Sequence, residues 1–127
     1  MIPTKKISLT LLEYAEPLIN ELEDGYSQSD LESVLHLATC IWNSCVVDQW
    51  HSTTENVELL RRQISKAENS IPTAIVEGMI QRKKQCFGAD PRAITNECVV
   101  VKNGEFVVRA EARLDLQNIP VQSRRSN

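Results

Sequence analysis

The apolar residues of this chain change their spacing at Asp90-Pro91. Before that point they recur about every three to four residues, as on one face of a helix, and after it they alternate with polar residues, as in a strand. The alternating segment contains Asn103-Gly104, the dipeptide that best tolerates the positive φ of a two-residue hairpin turn. The chain should therefore form helices closed by a C-terminal β-hairpin, an α+β fold that is mostly α.

Four segments before the switch carry the helical spacing. The first, about 9–23, contains Pro17, which should either end the helix or kink it. The second starts at Ser29-Asp30-Leu31-Glu32, where Ser29 and Glu32 match a capping box. Its apolar residues form a broad stripe, which predicts a central helix with neighbours on more than one side.

The remaining helices are predicted at about 53–67 and about 71–86. Ser52 and Glu55 repeat the capping-box spacing before the third helix, and Gly88 provides the stop for the fourth. Gly78 weakens the middle of the fourth helix, which indicates that another part of the chain packs closely against it.

The turn fixes the pairing of the two strands, predicted at about 94–102 and 105–114. Val101 should face Phe106, and Val99 should face Val108. The side chains of alternate residues from 106 to 114 should lie on the helices, because a hairpin alone is marginally stable in water. The outward side should carry Val100 with Val107, Cys98 with Arg109, Asn96 with Glu111, and Ile94 with Arg113.

Length and composition narrow the class of protein. The 127 residues suffice for one domain, expected over 1–114, followed by a mobile polar tail at 115–127. No run of residues is apolar enough for a membrane span, and the N-terminus lacks the apolar stretch of a secretory signal. A cytoplasmic location without a membrane partner is therefore expected.

Cysteine and histidine offer the chemically most reactive groups. In a reducing compartment Cys40, Cys45, Cys86 and Cys98 are expected to be free thiols. His36 and Cys40 have the spacing of two zinc ligands on one helix face, but no CxxC or HxxxH pair accompanies them. A buried thiol such as Cys45 would also be a poor nucleophile. We therefore predict no catalytic residue, no metal ligand and no cofactor, and the protein is not expected to be an enzyme. A zinc-stabilised domain, in which Cys86 or Cys98 joins His36 and Cys40, is the least favoured alternative.

A local cluster of basic residues provides one functional hypothesis. The net charge of −3 excludes a broad positive field, so nucleic-acid binding would have to be local. Six basic residues would form a basic strip on an otherwise acidic protein if their side chains lie on one side of the fold. They are Arg82, Lys83, Lys84, Arg92, Arg109 and Arg113.

Protein–protein interaction is the leading hypothesis. The exposed edge of the second strand offers backbone groups that a partner, or a second copy of the chain, can extend. Trp50, at the end of the second helix, is either a lid on the core or an interface anchor. The candidate partner-binding residues are Trp50, Ile94, Val100, Val107, Arg109 and Arg113.

Three features of the chain resemble a group of small, uncharacterised bacterial proteins. They are the Trp42-Asn43 pair in an apolar helix, the stretch from Arg82-Lys83 through Phe87 to Asp90-Pro91-Arg92, and the final hairpin. The resemblance implies a bacterial cytoplasmic origin and no particular activity. No functional residue is implied by it.

Overall fold

A computed structural model of the chain describes residues 5–66 and 72–114. Within these ranges the elements follow in the order α1 (Ile7–Ile19), α2 (Gln28–His51), α3 (Glu55–Lys66), α4 (Thr73–Cys86), β1 (Ala93–Lys102) and β2 (Glu105–Arg113). The two strands form an antiparallel hairpin. The predicted α+β fold, mostly α, is confirmed. The predicted tail, 115–127, lies outside the described residues.

Helix α2 is the centre of the fold, as its broad apolar stripe predicts. It contacts α1, α3, α4 and β1. At 24 residues it is about 36 Å long, enough to span a small domain. Trp42 is fully buried, packs edge-on against Tyr14 and Phe87, and donates its indole N–H to the Arg92 carbonyl over 2.7 Å. Among the described residues, no helix is both long and apolar enough to cross a bilayer.

The first turn of α2 begins earlier than predicted. Ser27, not Ser29, is the capping residue: its hydroxyl accepts from the Asp30 amide, and the Asp30 carboxylate accepts from the Ser27 amide. The expected pairing of Ser29 with Glu32 is therefore wrong. Two overlapping serine-to-acid spacings exist in this segment, and the helix forms from the upstream one because Asp can also serve at the third helical position.

The link from α2 to α3 also differs from the prediction. Ser52 does not cap α3; it ends α2 in the left-handed conformation, with φ of 52°. The buried Asp48 carboxylate instead accepts the backbone amides of Asn56 and Val57, each over 2.9 Å. One side chain near the end of α2 thus satisfies the first amides of α3, which fixes the angle between the two helices.

Helix α1 contains Pro17 and continues two residues past it. Proline has no amide to donate, so the Glu13 carbonyl four residues earlier loses its helical partner. The Arg82 guanidinium on α4 replaces that partner, donating over 2.7 Å to Glu13 and over 3.0 Å to the Tyr14 carbonyl. The helix ends at Ile19 rather than near residue 23.

The two glycines of the α4 region have different surroundings. Nothing lies within 4 Å of a side-chain carbon built at Gly78, so the predicted close packing there is wrong. The same carbon at Gly88 would lie 2.5 Å from the Lys84 carbonyl oxygen. Gly88 is therefore needed for the chain to turn back over the end of α4, as a helix stop should.

The hairpin has the predicted turn, with φ of 54° at Asn103 and 78° at Gly104. The register matches the prediction from this turn back to Asn96, which pairs with Glu111. There the strand is irregular: Ile94 pairs with Ala112 instead of Arg113, and Thr95 is the extra residue of a bulge. One inserted residue moves the side chains that precede it in β1 to the opposite face of the sheet. Ile94 consequently points into the core and is only 3% exposed.

Candidate functional site

The outer edge of β1 is closed by side chains of α2. The Asn43 amide pairs with both backbone groups of Ile94, accepting from its N–H and donating to its C=O, each over 2.7 Å. Further along, the Gln28 side chain donates to the Val99 carbonyl over 2.7 Å. Both outward backbone groups of Ile94 and the Val99 carbonyl are thereby occupied, which makes this edge less available to another strand at those two positions.

The outer edge of β2 is open. Val108 and Ala112 are the cross-strand partners of Val99 and Ile94, so their backbone groups point away from β1, and the alternation of the strand adds Phe106 and Ala110. Within residues 5–66 and 72–114, no hydrogen bond reaches the backbone N–H or C=O groups of these four residues. Among the described residues, the hairpin therefore presents an open edge along β2 and an edge along β1 that α2 partly closes.

A groove of about 650 Å³ runs beside this open edge, between β2 and the start of α1. Its lining residues are Lys5, Lys6, Ser8, Leu9, Val107, Val108, Arg109 and Ala110. None of the described residues in this lining is acidic. Lys5 is partly neutralised by an ion pair of 2.6 Å with Glu13, whereas Lys6 and Arg109 form none with the described residues. The groove is therefore cationic beside an unpaired strand.

The start of α1 adds to this positive character. Lys6 is the N-cap residue, its side chain makes no capping hydrogen bond, and the first turn contains no acidic residue. No acidic side chain of that first turn thus compensates the positive end of the helix dipole at α1. Leu9, in the same turn, is 50% exposed and gives the groove an apolar wall. A ligand with both negative and apolar groups would match these features.

The structure separates the predicted partner-binding residues. Val100 and Val107 face each other across the hairpin and are half-buried, and Arg109 and Arg113 are exposed. Ile94 is not on this surface, because the bulge turns it into the core. Trp50 packs against the core from α2, about 10 Å along the helix axis beyond Asn43. The four valine and arginine positions of the hairpin thus remain together, and Trp50 does not join them.

Lys83, predicted to belong to a basic strip, is 1% exposed. Its Nζ donates to the Phe87 carbonyl over 2.7 Å and to the Asp90 carbonyl over 3.1 Å, and lies 4.4 Å from the centre of the Trp42 ring. Burial lowers the pKa of this amine. The placement of Lys83 on the surface is therefore wrong: it ties the end of α4 to the segment that leads into β1.

Two arginines of the predicted strip also hold the fold together. Arg82 donates to the α1 carbonyls next to Pro17. Arg92 forms a two-bond pair with the Asp90 carboxylate, with distances of 3.0 and 2.7 Å, and donates to the Lys5 carbonyl. Lys84, Arg109 and Arg113 are exposed. The six residues thus do not act as one basic strip, because half of them are occupied by internal contacts.

A cleft of about 680 Å³ lies between α2, α3 and the end of α4. Cys45 and Asp48 line it, but Asp48 is engaged by the α3 amides. Burial raises the pKa of the Cys45 thiol to about 11, and burial followed by the Glu97 carboxylate raises the pKa of Cys40. Both thiols are therefore protonated near neutral pH, the opposite of what a preformed nucleophile requires.

Sequence patterns did not indicate two parts of the open-edge site. Lys6 is the N-cap of α1, which begins before the first residue expected in that helix, whereas Leu9 lies at the start of the expected helix. Gln28 and Asn43 close the edge of β1 through side-chain contacts that no periodicity encodes. The only available signal was the Lys5-Lys6 pair itself, which by its charge alone does not reveal a neighbouring strand.

The chain matches no protein-family model, no curated protein and no solved structure. A functional proposal for it has to come from the geometry of its surfaces.

Proposed function

We propose that this chain is a non-enzymatic protein–protein interaction module that binds an extended, acidic segment of a partner protein along the open edge of β2. The observation that carries the proposal is the difference between the two hairpin edges. On β1 both outward backbone groups of Ile94 and the carbonyl of Val99 are bound by α2 side chains, whereas on β2 the counterparts have no hydrogen-bond partner among the described residues. A strand added to β2 would satisfy those groups with main-chain hydrogen bonds.

The groove supports a particular partner chemistry. Side chains of an added strand would alternate between the two faces of the sheet. On one face they would meet Lys6 and Leu9 at the start of α1, and on the other they would meet Val107 and Arg109. An extended segment that combines Asp or Glu with apolar residues fits both faces, because opposite charges on neighbouring strands stabilise pairing.

A second copy of this chain is a poorer occupant of the groove. β2 itself carries two glutamates, Glu105 and Glu111, against two arginines, Arg109 and Arg113. It therefore offers no net negative charge to the cations around the groove. Nucleic acid could use the same cations, but phosphate contacts do not require the backbone amides of β2. Both occupants can be distinguished from an acidic peptide by experiment.

The first test is a direct comparison of three probes. A fluorescent peptide of about ten residues that alternates Glu with Val should bind, with an affinity that decreases as salt increases. A matched peptide that alternates Lys with Val should not bind, and single-stranded DNA of similar length should bind more weakly than the acidic peptide. Stronger binding of the DNA, or equal binding of the two peptides, would contradict the proposal.

The second test blocks the edge without breaking the hairpin. The Ala110 amide is not used in the β1–β2 ladder, so Ala110→Pro removes an outward donor at a position where an edge strand tolerates proline. This variant should lose binding of the acidic peptide, while Ala110→Val, which keeps the amide, should retain it. Circular dichroism checks that both variants are folded. Unchanged binding by Ala110→Pro would exclude strand addition.

Charge reversal tests the groove separately. The double variant Lys6→Glu with Arg109→Glu should weaken binding of the acidic peptide by about ten-fold or more, given about 1 kcal/mol for each charge near the strand. Lys84→Glu reverses an exposed cation that does not line the groove and is the matched control. Equal losses in the two proteins would show that only net charge matters.

Hydrogen exchange locates the added strand. The amides of Phe106, Val108 and Ala110 should become protected when the peptide binds, because they gain hydrogen bonds. The amides of Val107 and Arg109 already pair with β1 and should change little. Protection confined to other parts of the chain would place the binding site elsewhere.

Light scattering of the protein alone measures self-association, and a dimer that excludes the peptide would replace the proposed partner with a second copy.

A further inference from the structure

Three side chains from two elements form a row on the side of α2 that faces β1. The Cys40 Sγ lies 3.7 Å from His36 Nε2, and His36 Nδ1 lies 3.1 Å from Glu97 Oε1. His36 and Cys40 are four residues apart on one helix face, while Glu97 comes from β1. The hairpin is therefore needed to complete the row, and the helix alone would supply only two of its members.

Glu97 determines which ring nitrogen of His36 is available. An ionised carboxylate accepts a hydrogen bond, so Nδ1 carries the proton and Nε2 presents its lone pair. That lone pair points toward the Cys40 sulfur. A carboxylate behind the imidazole is also the arrangement that orients metal-bound histidines and makes the ring a better donor.

The distance between the two donor atoms fits a tetrahedral cation. With about 2.05 Å for a zinc–nitrogen bond, about 2.3 Å for a zinc–sulfur bond and a tetrahedral angle, the two ligand atoms should be about 3.6 Å apart. The observed separation is 3.7 Å, so both donors could reach one ion without moving the helix. The His36 side chain is 72% exposed, which leaves the pair open to an ion from solvent.

We propose that His36 and Cys40 together bind a divalent cation of the zinc class, with Glu97 as the positioning residue that orients His36. Binding replaces the thiol proton by the metal: the Cys40 S–H bond breaks, an S–metal bond forms, and the proton is released to solvent. Nitrogen with sulfur selects borderline-soft ions such as Zn²⁺ or Cd²⁺ over Mg²⁺ or Ca²⁺.

The site offers two protein ligands. No group of three His, Cys, Asp or Glu residues in the described part of the chain is arranged to hold a metal ion. Of the other thiols, Cys86 lines the cleft beside Cys45 rather than this row. Cys98, next to Glu97 in β1, alternates to the other side of the strand, although it lines the same small pocket as His36 and Glu97. Water or a small ligand would fill the remaining positions, so the ion is exchangeable rather than a structural centre.

Cadmium titration tests the proposal by ultraviolet absorption of the sulfur-to-cadmium bond. The experiment uses the full chain carrying Cys86→Ser and Cys98→Ser, so that the exposed thiol of Cys86 and the half-buried thiol of Cys98 do not contribute. The absorption should saturate at one ion per chain, and Cys40→Ser should abolish it. Zn²⁺ should displace Cd²⁺, whereas Mg²⁺ should not.

Variants of the other two residues separate coordination from mere thiol binding. His36→Ala should weaken cadmium binding by at least about ten-fold, and Glu97→Gln, which leaves the ring in place, by about ten-fold through its orientation. His51→Ala removes the second exposed histidine of α2 and should change nothing. Absorption that persists in Cys40→Ser, or equal affinities in the two histidine variants, would overturn the proposal. Neither result bears on peptide binding by the β2 edge, which Cys40→Ser should leave intact.

Discussion

At the scale of single residues, the role of Lys83 depends on what surrounds its ammonium group. Two carbonyl oxygens and the face of Trp42 replace the water that burial removes. The two carbonyls belong to the turn between α4 and β1, where the helix can no longer pair them. An amine on a long apolar stem is suited to this position, because the stem packs in the core while the head group donates several hydrogen bonds.

Replacing Lys83 should therefore cost much more than replacing its neighbour. Lys83→Met keeps the apolar stem but removes the donor to the Asp90 carbonyl and one of the two donors to the Phe87 carbonyl, which should lower the free energy of unfolding by about 3 kcal/mol. Lys84→Met, at an exposed position, should change it by less than about 0.5 kcal/mol. Urea denaturation of the two variants and the parent protein measures both values, and similar losses would contradict the assigned role.

The lowered pKa of Lys83 also predicts a pH dependence. Burial places the folded-state pKa below the ordinary value of 10.5, so between the two the unfolded chain binds more protons than the folded one. The stability contributed by Lys83 should therefore rise with pH across that interval and be constant well below it. Denaturation of the parent protein and of Lys83→Met at a series of alkaline pH values should give different slopes, and parallel curves would argue against the shift.

At the scale of elements, α1 and α4 are joined by hydrogen bonds from the Arg82 side chain to backbone carbonyls of α1. Pro17 leaves the Glu13 carbonyl without its helical partner, and Arg82 provides a replacement from the neighbouring helix. This explains why α1 passes through Pro17 instead of ending at Glu16. It also places Arg82 in a structural role, which its position beside other basic residues in the sequence conceals.

A double-mutant cycle tests this link. Arg82→Met should destabilise the protein by about 1.5 kcal/mol, because it unpairs helix carbonyls. In a Pro17→Ala background the alanine amide restores the bond to Glu13, so the same substitution should cost about 1 kcal/mol less. Thermal or urea denaturation of the four proteins gives the coupling. A value near zero would mean that the guanidinium does not compensate for the proline.

The elements themselves could be predicted where their signals are local. Helical spacing along α2 and the Asn103-Gly104 turn are encoded within a few residues, and the register near the turn follows from them. The bulge at Thr95 could not be predicted, because it depends on how Asn43 engages Ile94 across the sheet edge. The same limit applies to the groove, since Lys6 meets β2 only after the whole chain has folded.

At the scale of the whole molecule, α2 holds the hairpin through a few polar side chains. Asn43 satisfies the backbone of Ile94, Gln28 that of Val99, and Trp42 that of Arg92. These contacts are spread along the helix, so they fix both the position and the direction of β1. The groove beside β2 inherits its shape from this attachment, because the hairpin moves as one unit.

Loss of the Asn43 contacts should accordingly affect the hairpin first. Asn43→Ala should lower the free energy of unfolding by about 2 kcal/mol, since two backbone groups of Ile94 lose their partner. Hydrogen exchange should accelerate in β1 and β2 more than in α3. Asn96→Ala, which removes only an exposed contact with Glu111, is the matched control and should stay within about 0.5 kcal/mol of the parent. Equal acceleration in all elements would mean that Asn43 supports the core rather than the hairpin.

Asn43 and Gln28 bind outward backbone groups of β1, and this also limits how many molecules can associate through the sheet. Indefinite polymers built by backbone pairing need two docking-competent sides on every subunit, one to receive a neighbour and one to offer. On β1 the helix already occupies both outward groups of Ile94 and the Val99 carbonyl, so two copies that pair through β2 would leave their β1 edges partly covered. Resistance to growth beyond such a pair would thus come from the long helix rather than from the strands.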